Sequence, residues 1–261
     1  MRFDLIGSRE SGAVAILHVE DDEDPKKAAE EIMRRYKHVK SVLLRVGPRS
    51  GTYRLRPLVL LIGDKNTEVI HKEHGYRLKL DPMKVYFSPR EATERELIAK
   101  QVSPGEKVLV MFAGVGPFAI AIARFQPKVK EIIGVEINEI AYKYFLENVK
   151  MNKVEDKVRP ILGDVREVCP PMFCSFNRVL MPLPKEAYEY LDLGLRSLKG
   201  PQGILHFYYW GGEEAYQEAI ELVKQKAQEL DLKAEPLFWR RVSAYSPRKW
   251  KIRVDFHVTI G

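Results

Sequence analysis

A glycine-rich turn and an acidic residue stand where two successive apolar segments end. The turn reads Phe112-Ala113-Gly114-Val115-Gly116-Pro117-Phe118 and opens a helical stretch. Its two glycines let a ligand approach the backbone, and the start of the following helix offers unpaired N–H groups. Glu136 comes 22 residues after Gly114, close to the roughly 20-residue spacing at which an acid accepts hydrogen bonds from both ribose hydroxyls. These residue types in this order predict a nucleoside-binding site.

A third polar turn, Gly163-Asp164-Val165-Arg166, follows the next apolar segment. Asp164 could accept a hydrogen bond from an adenine amino group. Taken alone, Glu136 or Asp164 could equally be a solvated loop residue. Three such turns, each at the end of a successive strand, favour a nucleoside-binding site. The first turn lacks a third glycine and a Walker lysine, which disfavours dinucleotide and triphosphate sites.

The segments that must position these turns alternate between strand-like and helical from residue 84 onward. Strands are predicted at 107–111, 131–135, 158–162, 178–181 and 203–209, and helices at 93–101, 117–125, 139–151, 185–198 and 213–229. This alternation predicts an α/β fold with a Rossmann-like, doubly wound parallel sheet. Two further β-like runs, 234–242 and 250–260, have no helix between them and predict an antiparallel hairpin joined by residues 243–248.

The first 82 residues show a different, mixed α+β pattern. Asp24-Pro25 supplies a helix cap and a proline at the first helical position, and apolar residues then recur at helical spacing to about Lys37. Runs 13–19, 41–46, 55–62 and 67–71 favour strands. We therefore expect a small α+β domain at 1–82 and a Rossmann-like domain at 83–261.

Composition bounds the class of protein. The chain has 261 residues, 45% of them hydrophobic, and a net charge of +7, which excludes intrinsic disorder. No apolar run reaches the roughly 18 residues of a membrane span, and the first residues lack a signal-peptide pattern. We expect a soluble, cytoplasmic protein. Cys169 and Cys174 have no partners at zinc spacing, so we expect reduced thiols and no metal.

Several motifs together resemble one family. They are Gly51-Thr52-Tyr53-Arg54, His71-Lys72-Glu73-His74-Gly75, Val85-Tyr86-Phe87-Ser88-Pro89-Arg90, the 112–118 turn, Glu136-Ile137-Asn138, Met181-Pro182-Leu183-Pro184-Lys185 and Tyr245-Ser246-Pro247-Arg248. The chain resembles class I transferases that depend on S-adenosylmethionine (SAM), which implies an RNA-facing domain at 1–82 and a SAM-binding catalytic domain at 83–261. Within them it is similar to the tRNA guanosine N1-methyltransferases and the related aminocarboxypropyl transferases of wybutosine synthesis. The resemblance covers nearly the whole chain.

The resemblance implies SAM as the group donor and a set of site residues. The cofactor-binding residues would be Ser88, Arg95, Phe112, Ala113, Gly114, Gly116, Glu136, Ile137, Gly163, Asp164, Val165 and Pro182. Arg54 would polarise the base carbonyl and Glu94 would take its proton. Arg95 or Arg90 could pair with the methionine carboxylate, and Ser88 could donate to it. Alternatively, Glu94 and Arg95 lie on the exposed face of their helix.

The reaction depends on which carbon of the sulfonium is presented to the base. Pro182 stands where the methyltransferases have an asparagine, and proline offers neither a side-chain amide nor a backbone N–H. The chain also starts after the small extra domain that those enzymes usually carry. We therefore expect aminocarboxypropyl transfer to 4-demethylwyosine at position 37 of tRNA, with release of methylthioadenosine. Methylation of guanosine N1 or of the tricyclic base is the alternative, because Arg54 and Glu94 match. A non-catalytic tRNA-binding module is a third, less favoured possibility.

The positive charge is concentrated in two stretches without an acid. Residues 32–63 hold Arg34, Arg35, Lys37, Lys40, Arg45, Arg49, Arg54 and Arg56, and residues 237–254 hold Arg240, Arg241, Arg248, Lys249, Lys251 and Arg253. Interspersed tyrosines and tryptophans could stack on unpaired bases. We expect both stretches to face the anticodon region of tRNA, and we expect a monomer.

Overall fold

The computed structural model describes residues 2–19, 24–47, 57–183, 186–200 and 202–261, apart from the side chain of Tyr245. Its N-terminal part is a four-stranded sheet in the order β1-β2-β3-β4. The strands are β1 Arg2–Ser8, β2 Gly12–His18, β3 Val39–Arg45 and β4 Leu58–Gly63. Helix α1 (Pro25–Arg35) connects the parallel pair β2 and β3.

The predicted start of α1 is confirmed in detail. The Asp24 carboxylate accepts the N–H of Lys26 at 2.9 Å, and Pro25 is the first helical residue. The helix buries Ala28, Ala29 and Ile32 against the sheet. Strand β1 was not predicted from the sequence, because only Ile6 of its seven residues is buried and its apolar pattern is weak.

A hairpin of β5 (Val69–Glu73) and β6 (Tyr76–Leu80) joins the two parts of the molecule. Strand β6 is absent from the predicted elements, although Tyr76, Leu78 and Leu80 alternate as buried residues along it. Its backbone is tied to the C-terminal part, since Lys79 N donates to Asn148 Oδ1 at 2.6 Å.

The C-terminal part is a seven-stranded sheet in the order β12-β13-β11-β10-β7-β8-β9. Its strands are β7 Lys107–Met111, β8 Glu131–Glu136, β9 Val158–Leu162, β10 Arg178–Met181, β11 Gln202–Gly211, β12 Leu232–Ser246 and β13 Lys249–Ile260. The first five are parallel, and β13 runs antiparallel to both β11 and β12. The predicted doubly wound sheet with a closing hairpin is confirmed.

Helices cover both faces of this sheet. They are α2 Ala92–Ala99, α3 Pro117–Phe125, α4 Glu139–Met151, α5 Val165–Val168, α6 Leu191–Ser197 and α7 Ala215–Gln228. Helix α6 is shorter than the predicted 185–198, because a 3-10 turn at Ala187–Tyr190 precedes it. The predicted loop 243–248 is also wrong in extent: β12 continues to Ser246, with three bulges against β13. The long twisted hairpin therefore closes on a tight turn.

A buried ion pair fastens α2 to the β5–β6 hairpin. Arg95 donates from Nε and Nη2 to the two carboxylate oxygens of Glu73, at 2.7 and 2.6 Å, and Tyr76 OH also donates to Glu73. Burial alone would raise the pKa of Glu73, but the hydrogen bonds from Arg95 and His71 outweigh it and lower the pKa to about 2. The division at residue 82 remains a prediction.

Among the described residues, no helix is long and apolar enough to span a membrane, and no cluster of three potential metal ligands occurs. Cys169 and Cys174 are both free thiols. Burial raises the pKa of the Cys169 thiol to about 12, so it stays protonated and unreactive at neutral pH.

Replacing Glu73 with glutamine should lower the free energy of unfolding by about 3 kcal/mol at pH 7, since each unit of pKa shift corresponds to about 1.4 kcal/mol. The lowered pKa makes this stabilisation complete above the unfolded-state pKa of 4.5, and it is lost as the pH falls toward 2. We expect urea unfolding to show a smaller difference in the free energy of unfolding between the parent and Glu73→Gln at pH 3 than at pH 7. Glu96→Gln, which removes a half-buried carboxylate of α2 paired with exposed Lys100 at 2.7 Å, is the control and should change the free energy of unfolding little. An equal difference between parent and Glu73→Gln at both pH values would contradict the prediction.

Candidate cofactor and catalytic site

The turns singled out in the sequence lie together at one edge of the sheet. Met111 pairs with Val135 and Glu136 with Leu162, so β7, β8 and β9 end side by side. Backbone bonds join the turns that follow: Ala113 N donates to Val135 O at 2.8 Å, and Gly163 N donates to Glu136 O at 3.0 Å. The predicted cofactor residues on these three turns are therefore neighbours in space.

The Glu136 carboxylate is the polar centre of this edge. Its Oε2 accepts the N–H of Gly114 at 2.6 Å and its Oε1 accepts the N–H of Asn138 at 2.7 Å. Burial raises the pKa of Glu136, while these backbone N–H groups act in the opposite direction. Each carboxylate oxygen has lone pairs beyond those used here. The adjacent Ile137 is 40% exposed, so a carboxylate with spare acceptor capacity lies beside an exposed apolar side chain, as the predicted nucleoside site requires.

The two glycines of the first turn have different roles. Gly116 has φ +88°, and a Cβ at this position would meet Phe145 Cδ2 at 2.1 Å, so packing against α4 requires glycine. Gly114 has φ +59°, but a Cβ there would meet no described atom within 4 Å. Packing of the described residues does not require glycine at 114. The open space above it suits a ligand that approaches the backbone.

An aromatic and cationic wall borders the third turn. Asp164 caps α5 by accepting the N–H of Arg166 at 2.8 Å, and Val165 is buried beneath it. Arg166 donates to Tyr190 OH at 2.9 Å and lies over its ring, whose other neighbour is the Phe112 ring at 5.1 Å. Tyr190 is not among the predicted site residues, because its only signal in the sequence is an aromatic residue in the segment after β10.

The guanidinium of Arg95 is occupied by partners within the protein. Arg95 is 2% exposed, and it donates to Glu73 and to the carbonyl of Ser88, the latter at 3.0 Å. Because Glu73 takes two of its donors, the geometry does not favour Arg95 as the ligand of the methionine carboxylate. Arg90, the other candidate, is half exposed and donates to Asp4 at 2.5 Å.

Glu94 belongs to α2, where it is buried among hydrogen-bond donors from other elements and does not lie on an exposed helix face. It is 2% exposed, and its Oε1 accepts from Tyr208 OH at 2.7 Å and from Arg253. Its Oε2 accepts no hydrogen bond from the described residues, and Arg240 Nη1 lies 3.5 Å away. The Tyr208 ring contacts that of Phe118, at the end of the glycine turn. Glu94 is therefore linked to the strand-end edge through the rings of Tyr208 and Phe118.

Two further predicted residues are only partly accounted for. Pro182 directly follows β10 and is half-buried at the same edge of the sheet. Arg54 lies outside the described residues, as does Pro184. The assignments of individual residues to cofactor and base therefore remain predictions, now with a shared location for most of them.

The fold and this strand-end edge define a class I SAM-dependent transferase. The domain description "TRM5/TYW2 methyltransferase domain" matches residues 69–235, and the chain belongs to the TRM5/TYW2 family. It is a SAM-dependent tRNA-modifying enzyme.

Relatives with two different activities resemble the chain. It is 40% identical to a tRNA (guanine(37)-N(1))-methyltransferase Trm5b of Pyrococcus abyssi, over 98% of this chain and 74% of that protein. It is 34% identical to a tRNA(Phe) (4-demethylwyosine(37)-C(7)) aminocarboxypropyltransferase of Methanocaldococcus jannaschii, over 94% of each. The solved structure of M. jannaschii TYW2 with AdoMet superposes with a TM-score of 0.76 at 28% identity, covering all of both chains.

Gly114→Ala should weaken SAM binding at least tenfold while leaving the fold intact, because the added methyl enters open space beside Glu136. Its left-handed backbone costs about 1–2 kcal/mol for a residue with a Cβ. Gly105→Ala is a matched control, since Gly105 also has positive φ and open space but precedes β7 at the opposite edge. Calorimetric titration with SAM and thermal melts of both variants test this. Equal SAM affinity in the two variants would contradict it.

Proposed function

We propose that the chain methylates N1 of guanosine 37 in tRNA, with SAM as the methyl donor. The observation that supports proton removal from a base at this site is Glu94: a buried carboxylate with one oxygen held by two donors and the other free of hydrogen bonds among the described residues. N1 of guanine carries a proton that must leave as N1 attacks the methyl carbon. A carboxylate fixed in this way is suited to accept it.

The chain's own residues divide the work between two neighbouring regions. The turn residues Gly114 and Gly116 with Glu136 and Asp164 would hold and orient the nucleoside part of SAM. Bound SAM supplies an electrophilic methyl on a sulfonium. The carbon–sulfur bond breaks as the nitrogen–carbon bond forms, the proton goes to Glu94, and S-adenosylhomocysteine leaves. Arg54 would balance charge on the base carbonyl, as the family resemblance implies.

Aminocarboxypropyl transfer to 4-demethylwyosine, the reaction expected from the sequence, is the second candidate. Pro182 favours it, because this half-buried residue offers no amide to a guanine at the end of β10. The higher identity to a Trm5b, 40% against 34% for an aminocarboxypropyl transferase, favours methylation. Glu94 suits both reactions, since a ring carbon must also lose a proton. Methylation of the tricyclic base would use the same site.

We further propose that the outer face of the β12–β13 hairpin contacts tRNA. Trp239 stacks on Tyr216 with ring centroids 4.4 Å apart, and Arg241 lies 3.8 Å from the Trp250 ring centroid. Arg241, Arg248 and Lys249 are exposed. The basic stretch is smaller than the sequence indicates, because Lys251 and Arg253 are buried in internal ion pairs. The exposed cations and rings together suit an RNA loop.

Incubation with SAM and unmodified tRNA should yield S-adenosylhomocysteine and N1-methylguanosine, detected by mass spectrometry. Glu94→Gln should lower single-turnover rates at least about 100-fold, the usual contribution of a general base. Glu91→Gln, which removes a neighbouring buried carboxylate paired with Lys251 at 2.8 Å, should retain turnover. Full activity of Glu94→Gln would overturn the assigned role. Methylthioadenosine with a 4-demethylwyosine tRNA would establish the second candidate instead.

The double variant Arg241→Ala with Lys249→Ala should bind tRNA more weakly and with a flatter salt dependence. Each lost phosphate contact lowers the slope of log K against log salt by about 0.9 for duplex and 0.7 for single strands. Lys233→Ala is the control, because Lys233 on the same strand pairs with Glu235 at 3.2 Å. Filter binding across a salt series measures this, and identical slopes for the double variant and the parent would argue against a tRNA contact here.

A further inference from the structure

A line of buried charged and polar side chains runs along one face of the large sheet and ends at Glu94. From the N-terminal ends of the strands toward the cofactor edge, its members are Glu106, Arg178, His206, Asp255, Arg253 and Glu94. Arg178 donates to Glu106 at 2.7 and 3.0 Å, and its Nη1 lies 2.7 Å from His206 Nε2. The line alternates cations with anions, and His206 stands at its centre.

The protonation state of His206 follows from its two hydrogen-bond partners. Arginine is always a donor, so His206 Nε2 must accept from Arg178. The proton of the ring is therefore on Nδ1, which donates to Asp255 Oδ1 at 2.6 Å. Burial lowers the pKa of His206, which keeps the ring neutral. The imidazole thus has one fixed orientation, and it fixes Asp255.

Asp255 in turn determines where the Arg253 guanidinium points. Arg253 Nη2 donates to Asp255 Oδ2 at 3.1 Å, and its Nε lies 2.7 Å from Oδ1. The remaining nitrogen, Nη1, donates to Glu94 Oε1. Arg253 is 1% exposed, so the planar fork has little freedom to turn. One side of the guanidinium is anchored to the sheet, and the other presents a donor to the carboxylate.

We propose that Asp255 and His206 are positioning residues that act on Glu94 through Arg253. They hold Oε1 of Glu94 in place, together with Tyr208, so that Oε2, the oxygen without a hydrogen bond among the described residues, is the one left to accept the proton. This proposal rests on the proposed function, in which Glu94 accepts the proton. These two residues would orient Glu94 and would not contact the base, because neither His206 nor Asp255 touches the strand-end edge.

Asp255→Asn tests this with almost no change in shape. His206 can still donate to the new amide oxygen, but Arg253 loses its ionic anchor. We expect single-turnover methylation at saturating SAM and tRNA to fall at least tenfold, with unchanged Kd for both. Glu106→Gln is the matched control, because it removes a carboxylate from the other end of the same buried line and leaves Arg253 and Glu94 untouched. It should lower thermal stability to a similar degree but keep the parent rate.

Arg253→Lys provides a second variant if Asp255→Asn does not fold. Lysine keeps the charge but cannot bind Asp255 and Glu94 as a fork, so the rate should again fall while tRNA and SAM binding persist. A parent-like rate in either folded variant, with Glu94→Gln inactive, overturns the positioning role and leaves the proposed function standing. Equal rate losses in Asp255→Asn and Glu106→Gln would also overturn it, because both would then reflect stability. An active Glu94→Gln would refute the proposed function itself.

Discussion

The Glu136 carboxylate is the interaction on which the site depends. A turn that leaves a buried strand and enters a helix exposes N–H groups that need acceptors. Glu136 accepts one from the turn after β7 and one from the turn after its own strand. The charge-assisted bonds offset part of the cost of burying the carboxylate, although burial still raises its pKa. The turns that follow two neighbouring strands are thereby joined to one carboxylate.

The sequence was sufficient for the parallel sheet and its turns, because those signals are local. The limits of β7, β9, β10, α3 and α4 match their predictions, since apolar runs, a proline and glycines mark each boundary. Contacts between side chains that are far apart in the sequence could not be predicted in this way. Nothing in the neighbourhood of Arg95 indicates that Glu73, 22 residues earlier, will occupy its guanidinium. The same holds for Glu94, whose partner Arg253 lies 159 residues away.

The basic stretch 237–254 shows how a count of charges differs from their location. Successive residues of a strand point to opposite faces. In β13 this sends Lys251 and Arg253 inward, where they neutralise Glu91 and Glu94. The other cations of the stretch remain at or near the surface. Half-buried Arg240 links the two sets, because it reaches toward Glu94 from the edge strand. The same hairpin therefore supplies buried cations that pair with Glu91 and Glu94 and exposed cations on the outer face.

The bulges of β12 have a further consequence for behaviour at high concentration. This strand is the last in its sheet, and it exposes Leu237, Phe238 and Trp239 beside a row of free backbone groups. Such an edge is a template on which another chain can add a strand. The register shifts between Pro236 and Phe238, Arg241 and Ser243, and Ala244 and Ser246 break that row into short pieces. Pro236 also lacks an N–H. The irregular edge should thus resist fibrous self-association, while the aromatic and cationic side chains of the hairpin stay accessible to tRNA.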